Sequence, residues 1–245
     1  MKSSNSNFYT VRMQKILSLS FLGLILTSGS FVLFAGGSSE SLEPSTMMTA
    51  EEPMSKPMDK PVFMEGLNEA VFAGGCFWGI EGVFERLEGV TDVVSGYSGG
   101  EAETAQYKMV GTGRTGHAEA VRIVYDPEVI RYQTLLEVFF SVAHDPTQLN
   151  YQGPDVGSEY RSVIFYGDEE QKKMSESYIE ELAASGVYRD EIVTELVALE
   201  AFYPAEDYHQ DFLRLNPDHP YIQYWDMPKI EQLEKVFPEL IVEEM

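Results

Sequence analysis

Residues 69–80 read Glu69-Ala70-Val71-Phe72-Ala73-Gly74-Gly75-Cys76-Phe77-Trp78-Gly79-Ile80. The stretch from Glu69 to Ala73 is a short apolar strand candidate closed by two glycines, which is how a strand ends in a turn. Phe77, Ile80, Val83, Phe84 and Leu87 then recur at helical spacing, so a helix with one apolar stripe starts at or just after Cys76. A strand therefore passes through a glycine turn into a helix, and the one cysteine of the chain stands at the junction.

Working outward, Val90–Ser95 and Ala118–Tyr125 read as strands, the second closed by Asp126-Pro127. Thr134–Ala143 reads as a buried helix and 144–159 as a long loop of Asp, Pro, Gly, Gln and Asn. Ser162–Tyr166 and Glu191–Glu200 read as strands. Asp168, with Gln171 three positions on, resembles a capping box opening a helix to about Ser185, and Ala205–Leu215 reads as a short helix. Strands and helices mix without strict alternation. That order favours an α+β fold, a two-layer sandwich in which a ferredoxin-like mixed sheet is flanked by helices and long ordered loops.

The 245 residues are 44% hydrophobic, enough for one sizeable core. The folded domain is expected over 66–225, followed by a tail at 226–245 that contains no cysteine. Residues 36–65 are rich in Ser, Thr, Pro, Glu and Met, and read as an extended linker. Its exposed methionines (Met47, Met48, Met54, Met58, Met64) are oxidation targets, which makes the linker a candidate substrate of its own domain. Residues 1–35 combine Lys2, Arg12 and Lys15 with an apolar stretch from Ile16 to Ala35. This is the pattern of a secretory signal, and it is also near the length of a bilayer span, so cleaved signal peptide and membrane anchor both stay open. The expected location is exported, periplasmic or membrane-anchored facing outside, and cytoplasmic if the leader does not function. A formal charge of −23 excludes phosphate backbones as partners. A monomer is expected.

A lone cysteine excludes an internal disulfide and any multi-cysteine metal site, so Cys76 either packs or does chemistry. At the first turn of a helix its sulfur meets unpaired N–H groups and the positive end of the dipole, both of which favour thiolate. Phe77 joins the helix stripe and fits a core position, whereas Trp78 lies off it and suits a pocket wall or the core equally well. In the strand Ala118–Tyr125, period two puts Glu119 on the face shared by Val121, Ile123 and Tyr125. A carboxyl on an apolar face resists ionisation and keeps a proton to donate; the alternative is an edge charge turned to water. His117, His144 and His209 lack metal spacing and read as hydrogen-bonded structural residues, and no metal is expected. Glu206 and His209 would share a helix face and orient the site from behind.

The string Gly74–Gly79 is similar to the signature of A-type peptide methionine sulfoxide reductases. Gly96-Tyr97-Ser98-Gly99-Gly100, Gly116-His117-Ala118-Glu119, His144-Asp145-Pro146-Thr147, Gln152-Gly153, Asp155-Val156-Gly157, Tyr160-Arg161-Ser162 and Ala205-Glu206-Asp207-Tyr208-His209-Gln210 resemble further blocks of that family in order. The resemblance implies that Cys76 attacks the sulfoxide sulfur and becomes a sulfenic acid, and that only the S epimer is reduced. It implies Glu119 as the acid for the sulfoxide oxygen, with Tyr107 and Tyr160 hydrogen-bonding that oxygen. Phe77 and Trp78 match the wall for the methyl group, and Asp155 a carboxylate near the backbone of the bound methionine. Oxidised proteins, peptides and free methionine sulfoxide are the implied substrates, with no bound cofactor.

Many members of that family carry further cysteines that resolve the sulfenic acid, and this chain has none. An external thiol, supplied by thioredoxin, glutaredoxin or glutathione, is therefore required. Pro154 and Glu159 also depart from the Asn and Gln common in that loop. Two rival readings stay open on the residues alone. One is a papain-like hydrolase with His144 or His209 as base; the other is a binding module that captures oxidised peptides without turnover.

Overall fold

The computed structural model describes residues 66–242. The leader (1–35), the linker (36–65) and their expected properties lie outside the described residues. The strands are β1 (Asn68–Ala73), β2 (Val90–Ser98), β3 (Ala118–Tyr125), β4 (Tyr151–Gln152), β5 (Asp155–Val156), β6 (Val163–Tyr166), β7 (Glu195–Ala198) and β8 (Phe202–Pro204). The α-helices are α1 (Phe77–Phe84), α2 (Tyr107–Val110), α3 (Tyr132–Val138), α4 (Glu169–Ser185), α5 (Phe212–Leu215) and α6 (Met227–Val236). Six strands form one sheet in the order β7-β6-β1-β3-β2-β8, and β4 pairs with β5 as a separate two-stranded hairpin. Only the β6–β7 pairing is parallel, so the main sheet is mixed and the fold is α+β as expected.

Alternation along the strands sorts the side chains to two faces. Ala70, Phe72, Val121, Ile123, Tyr125 and Ile164 join the large core against α1, α3 and α6. Val71, Ala73, Ala118, Ala120, Val163 and Phe165 fill a smaller cluster on the other face. All eight residues of β3 are buried, which befits a strand between two neighbours and beneath packed layers.

Most element expectations hold within a few residues. The buried helix expected to end at Ala143 becomes α3 followed by a π-helical turn, Phe139–Ala143. Asp168 caps α4 by accepting from the N–H groups of Glu170 and Gln171 at 2.9 and 2.8 Å. The reciprocal bond goes one residue earlier than a capping box would place it, with the Gln171 amide oxygen accepting from Gly167 N–H.

The single helix expected over Ala205–Leu215 does not form. A 3-10 turn, Asp207–His209, precedes α5, and Asp211 between them has φ 55°, a left-handed conformation that interrupts any continuous helix. Glu206 and His209 consequently do not share a helix face. The short strand β8 pairs with Gly96, Tyr97 and Ser98 of β2 and has no counterpart in the sequence reading.

The packed structure also continues beyond Trp225. A π-helical turn, Ile222–Asp226, runs directly into α6, and Pro228 is the second residue of that helix. Ile230, Leu233 and Phe237 come off this segment into the main core. Backbone bonds from Glu88 N–H to Leu240 O (2.7 Å) and from Val242 N–H to Arg86 O (3.0 Å) tie the far end to the exit of α1. Phe237 is completely buried. Phe237→Ala is expected to lower unfolding free energy by about 3–5 kcal/mol, read by urea denaturation at constant m-value; a change within about 0.5 kcal/mol, the scale of a surface substitution, would show that this segment is not integral.

Candidate active site

Sheet register explains why Cys76 lies over β3. Phe72 of β1 stands opposite Val121, so the end of β1 reaches the level of Glu119 as the chain turns off the sheet. Gly75 makes that turn with φ 102°, and a Cβ there would fall 2.6 Å from Gln152 Cγ. Gln152 in turn is locked to the backbone of Asp145 by two hydrogen bonds of 3.0 Å, which seats the β4–β5 hairpin over the turn. Asp155 is thereby delivered from the hairpin.

Cys76 is the N-cap of α1 and 8% exposed. Glu119 is 2% exposed, and its Oε2 accepts a 3.1 Å hydrogen bond from Phe77 N–H. One of the free N–H groups of the helix start is thus satisfied by the side chain that faces the cysteine. Burial raises the Glu119 carboxyl to about 8, the Phe77 N–H opposes this, and Asp155 and Glu159 add to it. It is therefore protonated at neutral pH.

The same surroundings overturn the thiolate expectation for the resting protein. Burial is the largest effect on Cys76, and it pushes the thiol well above its ordinary value; Glu119, once ionised, and Asp226 push in the same direction. The Trp78 N–H at the helix start does lower it, as the dipole argument requires, but desolvation outweighs that bond.

Tyr107 and Tyr160 are half-buried, and each lies within electrostatic reach of both Cys76 and Glu119. Burial raises Tyr107 to about 12 and raises Tyr160 further, so both phenols remain donors. Tyr107 is set in place from behind. Its N–H donates to Glu206 Oε1, and Glu206 Oε2 accepts from the Tyr97 hydroxyl, both at 2.9 Å. Tyr97 lies directly across the ladder from Glu119 and is completely buried in β2.

The two aromatics after Cys76 part company. Phe77 is buried between Tyr97 and His209, with ring centroids at 5.9 and 5.0 Å. Trp78 is half-buried, stacks on Phe212 at 3.8 Å and meets the edge of Tyr221 at 5.8 Å. Its indole N–H donates to His209 Nδ1 at 3.2 Å. His209 is held neutral, lowered to about 4 by burial.

His144 is likewise lowered to about 4 by burial; its Nδ1–H donates to Phe139 O at 2.9 Å and its Nε2 accepts from the Ser162 hydroxyl at 2.7 Å. His117 bonds Gly100 N–H and Glu101 O. Of the two bases a hydrolase would need, His144 has both ring nitrogens engaged and neutral His209 spends its Nδ1 lone pair on the Trp78 indole N–H, so neither offers a ring-nitrogen lone pair to Cys76. Among the described residues no group of three or more His, Cys, Asp or Glu is placed to hold a metal. A cavity of about 330 Å³ lies between Asn68, Tyr125, Arg131 and Met174, and the cysteine does not line it.

Tyr221, Asp226 and Lys229 are site residues that the sequence does not single out, and the tail expected at 226–245 contributes the last two from a packed helix and the turn before it. The Tyr221 hydroxyl donates to Asp155 Oδ2. Asp226, fully buried, pairs with Lys229 at 3.0 Å. The apolar spacing of Ile230, Leu233 and Phe237 after Pro228 was the signal for a packed helix there.

The profile of the family described as peptide methionine sulfoxide reductase matches residues 68–240. A relative from Mesorhizobium japonicum, peptide methionine sulfoxide reductase MsrA 2, is 55% identical over 178 residues, covering 73% of this chain and 91% of the relative. Another of that name from Synechocystis is 44% identical over 224 residues, covering 88% and 96%. Among solved structures, reduced Mxr1 from Saccharomyces cerevisiae superposes with a TM-score of 0.55 at 33% identity, covering 64% of this chain and 89% of that one. Methionine sulfoxide reductase A of Corynebacterium diphtheriae gives 0.54 at 35% identity, covering 63% and 77%.

Raising a carboxyl on folding has a defined consequence for stability. Folded Glu119 binds a proton more tightly than the unfolded chain, so stability falls as pH rises from about 4.5 to about 8 and is unaffected below that window. Glu119→Gln removes the titration. The Tm difference between Glu119→Gln and wild type should therefore be more positive at pH 9 than at pH 4; a difference that does not vary with pH would mean the carboxyl is not raised.

Proposed function

The chain belongs to the peptide methionine sulfoxide reductase family, and we propose that it reduces methionine-S-sulfoxide through a sulfenic acid on Cys76, with Glu119 as the acid and an external thiol as reductant. The observation that carries this reading is the hydrogen bond from Phe77 N–H to Glu119, which holds a neutral carboxyl beside the one cysteine.

Attack of the Cys76 sulfur on the sulfoxide sulfur places negative charge on the departing oxygen, and a proton supplied there lowers the barrier. Glu119 is the group able to supply it near neutral pH. Tyr107 and Tyr160, both kept protonated, are donors for the same oxygen as its charge grows. In the balanced step the thiol of Cys76 and the sulfoxide give the sulfenic acid of Cys76 and the thioether. The sulfur of the substrate is reduced, the sulfur of the cysteine is oxidised, and the thiol proton is accounted for on the transferred oxygen. Trp78, stacked on Phe212 beside the cysteine, offers an apolar surface suited to the thioether methyl. Asp155, oriented by Tyr221, suits the amide of a peptide or the amine of free methionine sulfoxide.

Resetting Cys76 needs two equivalents of thiol. The first attacks the sulfenic sulfur, forming a mixed disulfide and releasing water; the second breaks that disulfide and restores the thiol. The chain supplies neither. A thioredoxin- or glutaredoxin-like protein, or glutathione, fits this step, and the signal-like residues 1–35 point to an exported or membrane-anchored site of action.

Rapid-quench single turnovers with each epimer test the assignment. Glu119→Gln should slow formation of the Cys76 sulfenic acid from the S epimer by about 10²–10⁴-fold with substrate affinity little changed, and the wild-type rate should fall as pH passes through about 8. An unchanged rate in Glu119→Gln would refute the role of the carboxyl.

A further inference from the structure

Behind the first turn of α1 lies a charge pair that the reaction as described does not use. Asp226 is completely buried; Oδ1 is bonded to Lys229 Nζ at 3.0 Å, and Oδ2 has no hydrogen-bond partner. The pair is pressed against Gly79, three residues past Cys76. A Cβ on Gly79 would fall 2.1 Å from Asp226 Oδ1 and 2.7 Å from Lys229 Nζ, so any side chain there would expel it. A buried carboxylate with an orphaned oxygen costs stability, and an apolar residue at 226 would serve packing better. The π-helical turn Ile222–Asp226 is the local irregularity that brings the carboxylate inward, and such turns are frequent at functional sites.

We propose that the buried Asp226–Lys229 pair, set against the first turn of α1, guards Cys76: its carboxylate makes ionisation of the cysteine in the resting enzyme harder than burial alone does. The groups that face Cys76 are Glu119 from β3, Asp226 and Lys229 from the C-terminal segment, the Trp78 N–H from its own helix, and, through their mutual effects, Tyr107, Tyr160 and Tyr221. Glu119 stays neutral up to about 8 and brings no charge at neutral pH. Lys229 opposes the rise that burial imposes on Asp226 and favours its charged form. The 3.0 Å bond from Lys229 holds Asp226 as the carboxylate partner of an ion pair, and in that form it sets a negative charge at the thiol.

Such a guard has a use in a protein with one cysteine. A thiolate attacks a peroxide oxygen and breaks the O–O bond, giving the Cys76 sulfenic acid and hydroxide, and no second cysteine is present to trap that product before further oxidation.

This inference rests on Cys76 being the nucleophile, and its test needs no turnover. The rate of Cys76 alkylation by iodoacetamide is followed against pH on the full chain by intact mass, where one cysteine gives one adduct. Asp226→Asn should move the midpoint down by about one pH unit, about tenfold in thiolate fraction at neutral pH, with a matching gain in oxidation rate by peroxide. The double variant Asp226→Asn, Lys229→Met should lie between that variant and wild type, because Asp226 outweighs Lys229 at the thiol. It also removes the pair as a unit, and so carries the test if the single variant fails to fold. Midpoints that coincide with wild type, even with a lowered Tm, would show a purely structural pair and overturn the proposal, as would an upward shift.

Discussion

The hydrogen bond from the Phe77 amide to the Glu119 carboxyl joins the two halves of this structure. One partner belongs to the central strand of the sheet, the other to the first turn of the helix that the cysteine opens. A helix start has amides to satisfy, and a buried carboxyl has oxygens to satisfy. Each need is met by the other, which fixes α1 over β3 and leaves the acid beside the sulfur. Tyr97, opposite Glu119 in the ladder, extends the same constraint through Glu206 to Tyr107. Three separate segments are thus held by one chain of bonds.

Burial then sets the protonation of the site. A thiol and a carboxyl enclosed together both hold their protons, because ionising either would put a charge in a poorly solvated place beside other acids. The helix N-terminus does act on the sulfur, but with too little strength to win against desolvation. The resting site is therefore neutral at its centre, with a fixed charge pair behind it. On the proposed mechanism a polar sulfoxide brings the dipole that the site lacks, and the tyrosine donors and the Glu119 proton serve the oxygen that becomes charged.

Much of this was legible in the sequence because it depends on local spacing. The alternation of Glu119, Val121, Ile123 and Tyr125 placed the acid on the core face, and the stripe from Phe77 to Leu87 placed the cysteine at a helix start. What was not legible depends on tertiary packing. Asp211 adopts a left-handed conformation and breaks an otherwise helical pattern between Ala205 and Leu215. The two-sided environment of Trp78 comes from Phe212 and Tyr221, which are far away in the chain. Asp226 was unreadable for a different reason: a carboxylate in a polar C-terminal segment gives no sign that it will be enclosed. The thiolate expectation failed because dipole effects can be read from spacing, whereas depth of burial cannot.

On the proposed mechanism, one sulfoxide oxidises the one cysteine once, and an external thiol must then reset it. This consequence is measured directly by mixing reduced protein with excess methionine-S-sulfoxide in the absence of any thiol, and counting methionine formed per chain alongside the mass of Cys76 after dimedone trapping. The account predicts one methionine per chain and a dimedone adduct on Cys76 in equal amount. Continued turnover without thiol, or methionine formed with Cys76 left unmodified, would contradict it.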